Sequence, residues 1–440
     1  MKLVTSFTGS KGVRYPSPDV ARGFMLLLIA LANVPTWVYL ARSSTSPADT
    51  IDTAWLWVRT LFIDQRSYPL FAMLFGFGLM TMINRRIASG TQSYLQSLPG
   101  VEAGREPTSQ EESWAREQAT VDARRLVRRR GAWMILFGAA HAMLFDSDVI
   151  GLYGLVAVVF AGWVAHKHWK RAAVVSAVIV VANVVVTFIV GSLMVSQGTT
   201  SSTAMREETD GSTVTLLSYI SDGLTSWAGG TVRGALLSMV VPAMFLGARL
   251  ADTDLIAHPE RHRRLLTVVG LGGLGLGAVG GIAIAVQATG GPLVVWAVSF
   301  DRVAGLVGAC GWLALLALYA AGGPRADGRL TGLRKLASNV GRRSMTAYLS
   351  QSFLFAIIFL ALPALTGIEL HLGEARAAGI AAAVWLVTVG LCAVLERGGH
   401  AGPFETLLRT AVARSERKRP RPAPPSPAVG AVAVPAGASE

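Results

Sequence analysis

Long apolar runs alternate with short polar segments along most of the chain. The runs are roughly 17 to 25 residues long, the length that an α-helix needs to cross the hydrocarbon layer of a membrane. A soluble helix normally keeps one polar face, which these runs lack. The pattern predicts an all-α, polytopic membrane helix bundle of about ten transmembrane helices, at residues 20–41, 67–83, 131–146, 149–166, 172–195, 232–250, 265–288, 302–322, 343–363 and 376–395.

The composition agrees with this pattern. Hydrophobic residues make up 52% of the 440 residues and charged residues 15%, and the mean hydropathy is +0.47. A net charge of +13 would suggest a nucleic-acid partner for a soluble protein. Here the basic residues flank apolar runs, so we expect membrane lipids as partners and no nucleic acid.

The Lys and Arg residues divide unevenly between the two sides of the predicted bundle. If the N-terminus is cytoplasmic, 33 of the 40 fall on the cytoplasmic side and 7 on the outer side. Cytoplasmic loops of membrane proteins carry such an excess of positive charge. The chain is therefore predicted to be a multi-pass protein of the cytoplasmic (plasma) membrane, with its N- and C-termini in the cytoplasm.

Polar segments interrupt and flank a predicted membrane domain that covers residues 20–397. Two of them are loops inside this domain, and the outer one is rich in Ser, Thr and Gly. The basic, Pro-rich end of the chain is typical of disorder. In chain order the segments are a cytoplasmic N-terminal segment (1–19), a partly helical cytoplasmic loop (84–130), an outer loop (196–231), a juxtamembrane segment (398–416) and a disordered tail (417–440).

Several motifs carry little weight. The Gly-rich string that begins at Gly270 lies inside an apolar run without a preceding strand, so it favours helix packing over dinucleotide binding. Cys310 and Cys392 lie in separate apolar runs and predict neither a disulfide framework nor a zinc site. No cluster of His, Asp and Glu has the spacing of metal ligands, so we expect no metal.

Polar residues inside membrane spans are costly and usually face a cavity or a partner. His141 is the only histidine predicted at membrane depth. It could act as a general base oriented by a nearby carboxylate, or it could be a packing residue bonded to a neighbouring carbonyl. Other polar residues in or beside the spans are Asn33, Arg66, Tyr68, Asp146, Asp148, Asp301, Arg302, Thr346, Tyr348, Ser350 and Gln351.

Five blocks resemble, in order, the motifs of the YeiB-like family of bacterial membrane proteins. They are DVARGFMLLLIALAN (19–33), DQRSYPLFAMLFGFG (64–78), RRRGAWMILFGAAH with DSDVIGLYG (128–154), GRRSMTAYLSQS (341–352) and GPFE (402–405). The chain departs from the family at Ala347, where an Asn is usual. Its long 84–130 loop and its Pro-rich tail are further departures.

The YeiB-like family is similar to a wider set of transmembrane acyltransferases, including heparan-α-glucosaminide N-acetyltransferase. The resemblance implies that an acyl group, such as acetyl, moves from cytosolic acyl-CoA (acetyl-CoA) to a hydroxyl or amine on the outer side. The acceptor would be an envelope glycan, a lipid or a small molecule. The histidine proposed as catalytic in that set falls on His141.

Under this hypothesis, His141 deprotonates the acceptor while Asp146 or Asp148 orients its ring. Direct transfer and an acyl-histidine intermediate are both open. The arginines at the cytoplasmic ends of the first, third and ninth spans would bind the acyl-CoA phosphates, namely Arg22, Arg128, Arg129 and Arg342. The substrate-binding candidates are Asn33, Arg66, Tyr68, Tyr348 and Gln351.

Two other functions stay open. A transporter or lipid translocator would use His141 as a proton relay, although no inverted repeat with paired broken helices is visible. A structural or regulatory membrane subunit would need no chemistry. A nucleotide-sized cytoplasmic opening connected to His141 would favour the enzyme, and a large lateral cavity without that opening would favour transport. A homodimer is also left open.

Overall fold

The computed structural model describes residues 16–41, 49–102, 104–196, 216–321, 330–367, 370, 372–416 and 423–424. These residues form helices and connecting turns without any β-strand. In chain order the helices are α1 (Pro16–Leu40), α2 (Thr50–Phe62), α3 (Ser67–Gln96), α4 (Ser109–Ala142), α5 (Ile150–Ala165), α6 (Trp169–Ser196), α7 (Leu216–Leu237), α8 (Val240–Leu250), a 3-10 turn (Pro259–His262), α9 (Arg263–Ala288), α10 (Ala297–Ala321), α11 (Gly332–Arg342), α12 (Ser344–Ala356), a π-turn (Ile357–Ala361), α13 (Leu362–Thr366), α14 (Glu374–Arg397) and α15 (Pro403–Arg414).

The all-α membrane character predicted from the apolar runs is confirmed. Within the described ranges, seven helical segments are long and apolar enough to cross a membrane, or eight if the bent pair α7–α8 counts as one span. The predicted spans at 131–146 and 149–166 are not among them. The apolar part of α4 begins only after Arg130, and α5 has 16 residues. The predicted number of ten is therefore not confirmed by helix length and hydropathy.

The predicted cytoplasmic loop at 84–130 is mostly helical. It consists of the end of α3 and the first two thirds of α4, which continue the membrane helices without a break. The two extensions contact each other through Tyr94, whose hydroxyl donates to Asp122 at 2.7 Å and whose ring meets Trp114 edge-on. A capping box of Thr108 and Glu111 begins α4 and satisfies amides at its first turn.

Glycines allow α1 and α11 to pack backbone against backbone. A β-carbon on Gly23 would collide with the Ala337 carbonyl, and one on Gly341 would collide with the Asp19 carbonyl. Small residues at helix contacts permit this close approach within a membrane. Both glycines belong to blocks that resemble the YeiB-like family, so those blocks serve helix packing in this fold.

Parts of the predicted polar segments fall outside the described residues. These parts are residues 1–15 of the N-terminal segment, residues 197–215 of the outer loop and all of the tail except residues 423–424. The rest of the outer loop belongs to α7, which meets α8 at a bend of 60°. The juxtamembrane segment forms α15, which lies against α4 through a hydrogen bond from Trp133 to Ser415 of 3.2 Å.

Candidate functional site

His141 and Asp148 form a buried pair at the end of α4. The Nδ1 atom of His141 lies 2.8 Å from Oδ1 of Asp148, and the two side chains are 2% and 0% exposed. The second carboxylate oxygen of Asp148 accepts the amide of Gly151 at 2.7 Å. An ionised Asp148 therefore selects the tautomer of His141 with its proton on Nδ1, which leaves Nε2 with a free lone pair.

Small residues in α4 and α5 bring this pair together. Gly138 lies one turn before His141, and a β-carbon there would collide with Asp148 and Gly151. A similar close approach between Gly131 and Gly154 lies farther from the turn between the two helices. The α4–α5 hairpin can therefore close tightly enough for a carboxylate in its turn to reach a histidine on its last helical turn.

A mostly aromatic environment surrounds His141. The ring of Tyr348 on α12 lies 5.3 Å from the imidazole, and that of Phe145 lies 6.1 Å away. Phe145 in turn stacks on Trp37 of α1 at 4.9 Å. These contacts join three helices around the imidazole and exclude bulk water from it.

Three polar atoms of His141 and helix α12 are buried and have no hydrogen-bond partner among the described residues. They are Nε2 of His141, the hydroxyl of Tyr348 and Nε2 of Gln351. The Tyr348 hydroxyl lies close to the Val149 backbone without forming a well-shaped hydrogen bond. Tyr348 and Gln351 are three residues apart on α12 and share one helix face. Such unsatisfied groups are uncommon in folded proteins and favour a bound ligand.

A cavity of about 670 Å³, called the large cavity below, adjoins this pair. Asp148 is part of its wall, whereas His141 is not. Tyr68, predicted to bind substrate, also lies on the wall. The large cavity thus reaches the carboxylate that holds His141 and stops short of the imidazole.

Asp146 lies on the same wall but does not contact His141. Its carboxylate accepts hydrogen bonds of 3.1 Å from the hydroxyls of Ser147 and Ser226. Of the two carboxylates that the sequence offered as partners of the histidine, the structure pairs Asp148 with the ring. Asp146 instead connects the α4–α5 turn to α7.

Of the predicted substrate-binding residues, Tyr348 and Gln351 lie on α12, and Asn33 and Arg66 also do not line the large cavity. Asn33 is half-buried on α1 and makes no hydrogen bond to other described residues. Arg66 is fully buried, pairs with Asp301 at 2.7 Å, and donates to the Asp64 carbonyl at 2.5 Å and to the Gly277 carbonyl. These contacts occupy both terminal nitrogens of the guanidinium, while its Nε has no hydrogen-bond partner among the described residues.

The four arginines predicted to bind phosphates differ in their surroundings. Arg22 contacts Asp19 at 3.0 Å and the Leu74 carbonyl at 3.1 Å. Arg129 pairs with Glu416 at 2.9 Å and Arg342 with Glu396 at 2.7 Å. Arg128 is exposed and has no partner among the described residues. The structure therefore does not bring these four side chains into one cluster.

A different set of arginines surrounds a second cavity of about 260 Å³, called the basic pocket below. Four arginines from α3, α4 and α15 line it, together with a single acidic residue, Glu416. The positive charge of Arg22 also acts on one of them. The four are Arg86, Arg129, Arg130 and Arg409. This excess of positive charge suits a phosphate group.

Glu405 of the closing GPFE block caps helix α12. One carboxylate oxygen accepts the amides of Met345 and Thr346 at 2.7 and 3.1 Å, and the other accepts the Thr346 hydroxyl at 2.5 Å. The free amides and the dipole at a helix N-terminus favour a negative charge there. The two last family-like blocks thus form one contact that positions Tyr348 and Gln351.

The sequence interpretation missed several residues of these cavities. Asn183 was visible as a polar residue inside the apolar run at 172–195, a recognised sign of a functional position. No comparable sign marks Arg86, Arg130 and Arg409, because their convergence depends on how α3, α4 and α15 pack. Within the described part of the chain, no group of His, Cys, Asp and Glu could hold a metal ion.

Comparison with known proteins locates one similarity. No curated protein matches the chain, and no solved structure matches it. Residues 250–415 match a family model described as a protein of unknown function, DUF418. The match covers Glu405 and helix α12 but not His141. The C-terminal part of the chain is therefore similar to the DUF418 family, in agreement with the YeiB-like resemblance of its sequence blocks.

Proposed function

We propose that this protein is an integral-membrane acyltransferase. It moves an acyl group, acetyl by preference, from cytosolic acyl-CoA to a hydroxyl or amine of an extracytoplasmic acceptor. The observation that carries the proposal is the His141–Asp148 pair. A buried imidazole held at Nδ1 by a carboxylate, with Nε2 free, is the arrangement of a general base.

The proposed topology has ten spans in the plasma membrane and both termini in the cytoplasm. The distribution of 33 of 40 Lys and Arg supports it. It assigns the basic pocket to the cytoplasmic side, where acyl-CoA is available. It assigns the turn that holds Asp146 and Asp148 to the outer side, where the acceptor arrives.

The chemical step transfers the acyl group from the sulfur of CoA to the oxygen or nitrogen of the acceptor. Nε2 of His141 takes the proton from the acceptor, and the acceptor oxygen or nitrogen attacks the thioester carbonyl. The C–S bond breaks, and the CoA thiolate leaves with the electron pair. The proton on His141 then passes to the thiolate, so that CoA leaves as a free thiol and the base is restored. Asp148 stabilises the imidazolium that forms between these two transfers.

Tyr348 and Gln351 are placed to assist this step. The unpartnered hydroxyl of Tyr348 is a hydrogen-bond donor on a ring beside His141, and the unpartnered amide of Gln351 follows three residues later on the same face of α12. Negative charge develops on the thioester oxygen when the acceptor attacks. Fixed donors aimed at such an oxygen are a major source of rate enhancement in acyl transfer.

The basic pocket is the proposed site for the acyl-CoA phosphates. It replaces the set of four arginines expected from the sequence and retains Arg129 from that set. The charged nucleotide end of acyl-CoA cannot enter the hydrocarbon layer and would stay at this pocket. The thin pantetheine arm would extend toward mid-depth, where the thioester meets His141.

The test is acyl-CoA binding and hydrolysis by purified protein, with release of free thiol as the readout. Water replaces the acceptor in this assay, so the acceptor need not be known. We expect slow hydrolysis of acetyl-CoA that His141→Ala lowers by roughly 100-fold to 10,000-fold. If wild-type protein neither binds nor hydrolyses acetyl-, propionyl- or butyryl-CoA, the enzyme proposal is wrong. If hydrolysis survives His141→Ala unchanged, the mechanism is wrong.

A lipid or metabolite translocator is the second candidate. The large cavity favours it, because Asp148 is in the cavity wall and could pass a proton to His141. Proteoliposomes distinguish the two functions. A translocator would acidify or alkalinise the lumen when substrate moves and would leave acyl-CoA intact, whereas the proposed enzyme would release CoA thiol without a proton flux.

A further inference from the structure

The large cavity contains buried polar atoms that the protein itself leaves unsatisfied. Oδ1 of Asn183, Nε1 of Trp227 and Oγ1 of Thr231 are buried without a hydrogen-bond partner among the described residues, and all three residues line this cavity. Asn183 is fully buried and Thr231 is 8% exposed. Two acceptors and two donors are present, since a hydroxyl can do both. A buried polar group without a hydrogen bond costs free energy unless a ligand or a water molecule forms that bond.

Charged side chains on the cavity wall balance each other. Asp146 and Asp148 supply two negative charges, and Arg233 and Arg302 supply two positive charges. Neither arginine has an ion-pair partner among the described residues. Because these four charges sum to zero, the wall has no net charge that would favour an anionic or a cationic head. An uncharged head rich in hydroxyls can donate to the carboxylates and accept from the arginines at once.

One wall of the cavity is apolar and belongs to α6, which is long and apolar enough to span a membrane. Val186, Val190 and Met194 of α6 line the cavity, and each is about two fifths exposed. Little of α6 is covered by the rest of the bundle. An alkyl chain could therefore pass between the membrane and the cavity along α6 without crossing a polar barrier. The cavity combines an apolar lateral wall with a polar end near Asp148.

We propose that the large cavity binds a lipid whose head is uncharged and polyhydroxylated, such as a glycosyl lipid. The alkyl chain lies along Val186, Val190 and Met194, and the head hydrogen-bonds to Thr231, Trp227 and Asn183. The further statement that this lipid is the acyl acceptor rests on the proposed function. A head hydroxyl beside Asp148 then lies next to the residue that orients His141.

Photolabelling tests the binding directly. The protein is reconstituted in phosphatidylcholine nanodiscs and irradiated with decyl glucoside that carries a diazirine at the chain end. We expect saturable labelling of the α6 segment that includes Val186 and Met194. Excess unlabelled decyl glucoside should suppress this labelling, and excess decyl phosphocholine should not. Labelling of the lipid-facing residues of α9, such as Leu271, provides the unsaturable background.

A matched pair of variants tests the role of the head contacts. Thr231→Val removes a hydroxyl that has no protein partner, so it should not impair folding. We expect it to raise the half-saturating concentration of the probe roughly threefold to tenfold, the loss of about one hydrogen bond. Thr225→Val on the same helix is the control, because Thr225 is exposed and does not line the cavity.

Three results would overturn the proposal. The first is labelling of α6 that is no more saturable than that of α9. The second is competition by decyl phosphocholine that equals competition by decyl glucoside. The third is the same half-saturating concentration of the probe for Thr231→Val and Thr225→Val. Acyl-CoA hydrolysis in the same nanodiscs separates this failure from that of the enzyme proposal. Hydrolysis without glucoside labelling rejects only the lipid site, and labelling without hydrolysis rejects only the catalysis.

Discussion

Arg66 and Asp301 form an ion pair of 2.7 Å inside the bundle, with side-chain exposures of 0% and 6%. The pair joins the residue before α3 to the beginning of α10. The same guanidinium contacts the carbonyls of Asp64 and Gly277. Arg66, which the sequence suggested as a substrate ligand, thus connects three parts of the fold. A structural role accounts for all the contacts that it makes.

Breaking this pair on one side should destabilise the protein strongly. Arg66→Met leaves the Asp301 carboxylate buried without a partner, and we expect a loss of about 3 to 5 kcal/mol in the free energy of unfolding. The double variant Arg66→Met/Asp301→Leu should lose much less, because no buried charge remains. Unfolding in mixed micelles measures both. Equal losses in the single and double variants would contradict a paired role.

Asp148→Asn should impair catalysis while preserving the contact of residue 148 with the Gly151 amide. An asparagine amide can no longer stabilise the imidazolium or select the tautomer of His141. We expect acetyl-CoA hydrolysis to fall by roughly 100-fold or more, with little change in acetyl-CoA affinity. Asp146→Asn is the matched control, since Asp146 contacts Ser147 and Ser226 instead. A similar loss in both variants would argue against the His141–Asp148 pair as the base.

If the basic pocket binds the phosphates of the acyl donor, removal of its positive charges should weaken acetyl-CoA binding. Arg130→Gln and Arg409→Gln should each weaken acetyl-CoA binding roughly tenfold, the value of one charge-assisted hydrogen bond. Arg128→Gln should have little effect, because Arg128 is exposed and does not line the pocket. Isothermal titration with acetyl-CoA measures the affinities. Competition separates the two possible sources of the phosphate. Weaker binding of dephospho-CoA thioesters would indicate a nucleotide site, and displacement of acetyl-CoA by anionic phosphatidylglycerol would indicate a lipid site.

Glu405→Ala should destabilise the protein through helix α12. The substitution leaves the amides of Met345 and Thr346 without their acceptor, at an expected cost of about 1 to 3 kcal/mol. Glu416→Ala is the control, because Glu416 is exposed and forms only a surface pair with Arg129, worth roughly 1 kcal/mol or less. Thermal unfolding compares the two variants. A cost for Glu405→Ala no larger than for Glu416→Ala would contradict the cap.

The N-terminal cap of α4 should depend on pH. Hydrogen bonds from Arg105 and from Thr108 lower the pKa of Glu111 to about 2. The ordinary value is about 4.3, so the cap is intact above that pH and is lost as pH falls toward 2. Carboxyl carbon NMR of the protein in micelles measures the midpoint, with Glu111→Gln to identify the signal. A midpoint near the ordinary value would show that the cap is absent.

The helical architecture was largely predictable from the sequence. Each predicted apolar run is largely helical, because burial in lipid requires every backbone group to be bonded within the helix. The run 131–146 continues past the end of α4 into the α4–α5 turn, and the run 343–363 covers α12, the π-turn and part of α13. The polar extensions of α3 and α4 were predicted only in part. Their stability depends on contacts such as Tyr94 with Asp122, which join residues from two helices and leave no periodic pattern.

The candidate site was predictable to a smaller extent. His141 stood out because a histidine inside a predicted membrane span is unusual. Its partner could be narrowed to Asp146 or Asp148, and the turn geometry, with Gly138 and Gly151 in close contact, decided for Asp148. The sequence could not show which of the neighbouring arginines line the basic pocket, since residues adjacent on a helix point in different directions. Arg128 therefore faces away from the basic pocket and Arg130 lines it.

The sequence by itself determined that this chain is a helical membrane protein, and it predicted which few polar residues lie within its apolar runs. Both depend on the transfer of apolar and polar side chains between water and lipid, which is a property of each residue and its neighbours. Only the tertiary structure decided which polar groups are paired and which are free. Arg66 with Asp301, Glu405 with Thr346, and the unsatisfied atoms of the large cavity all depend on contacts between helices far apart in the chain.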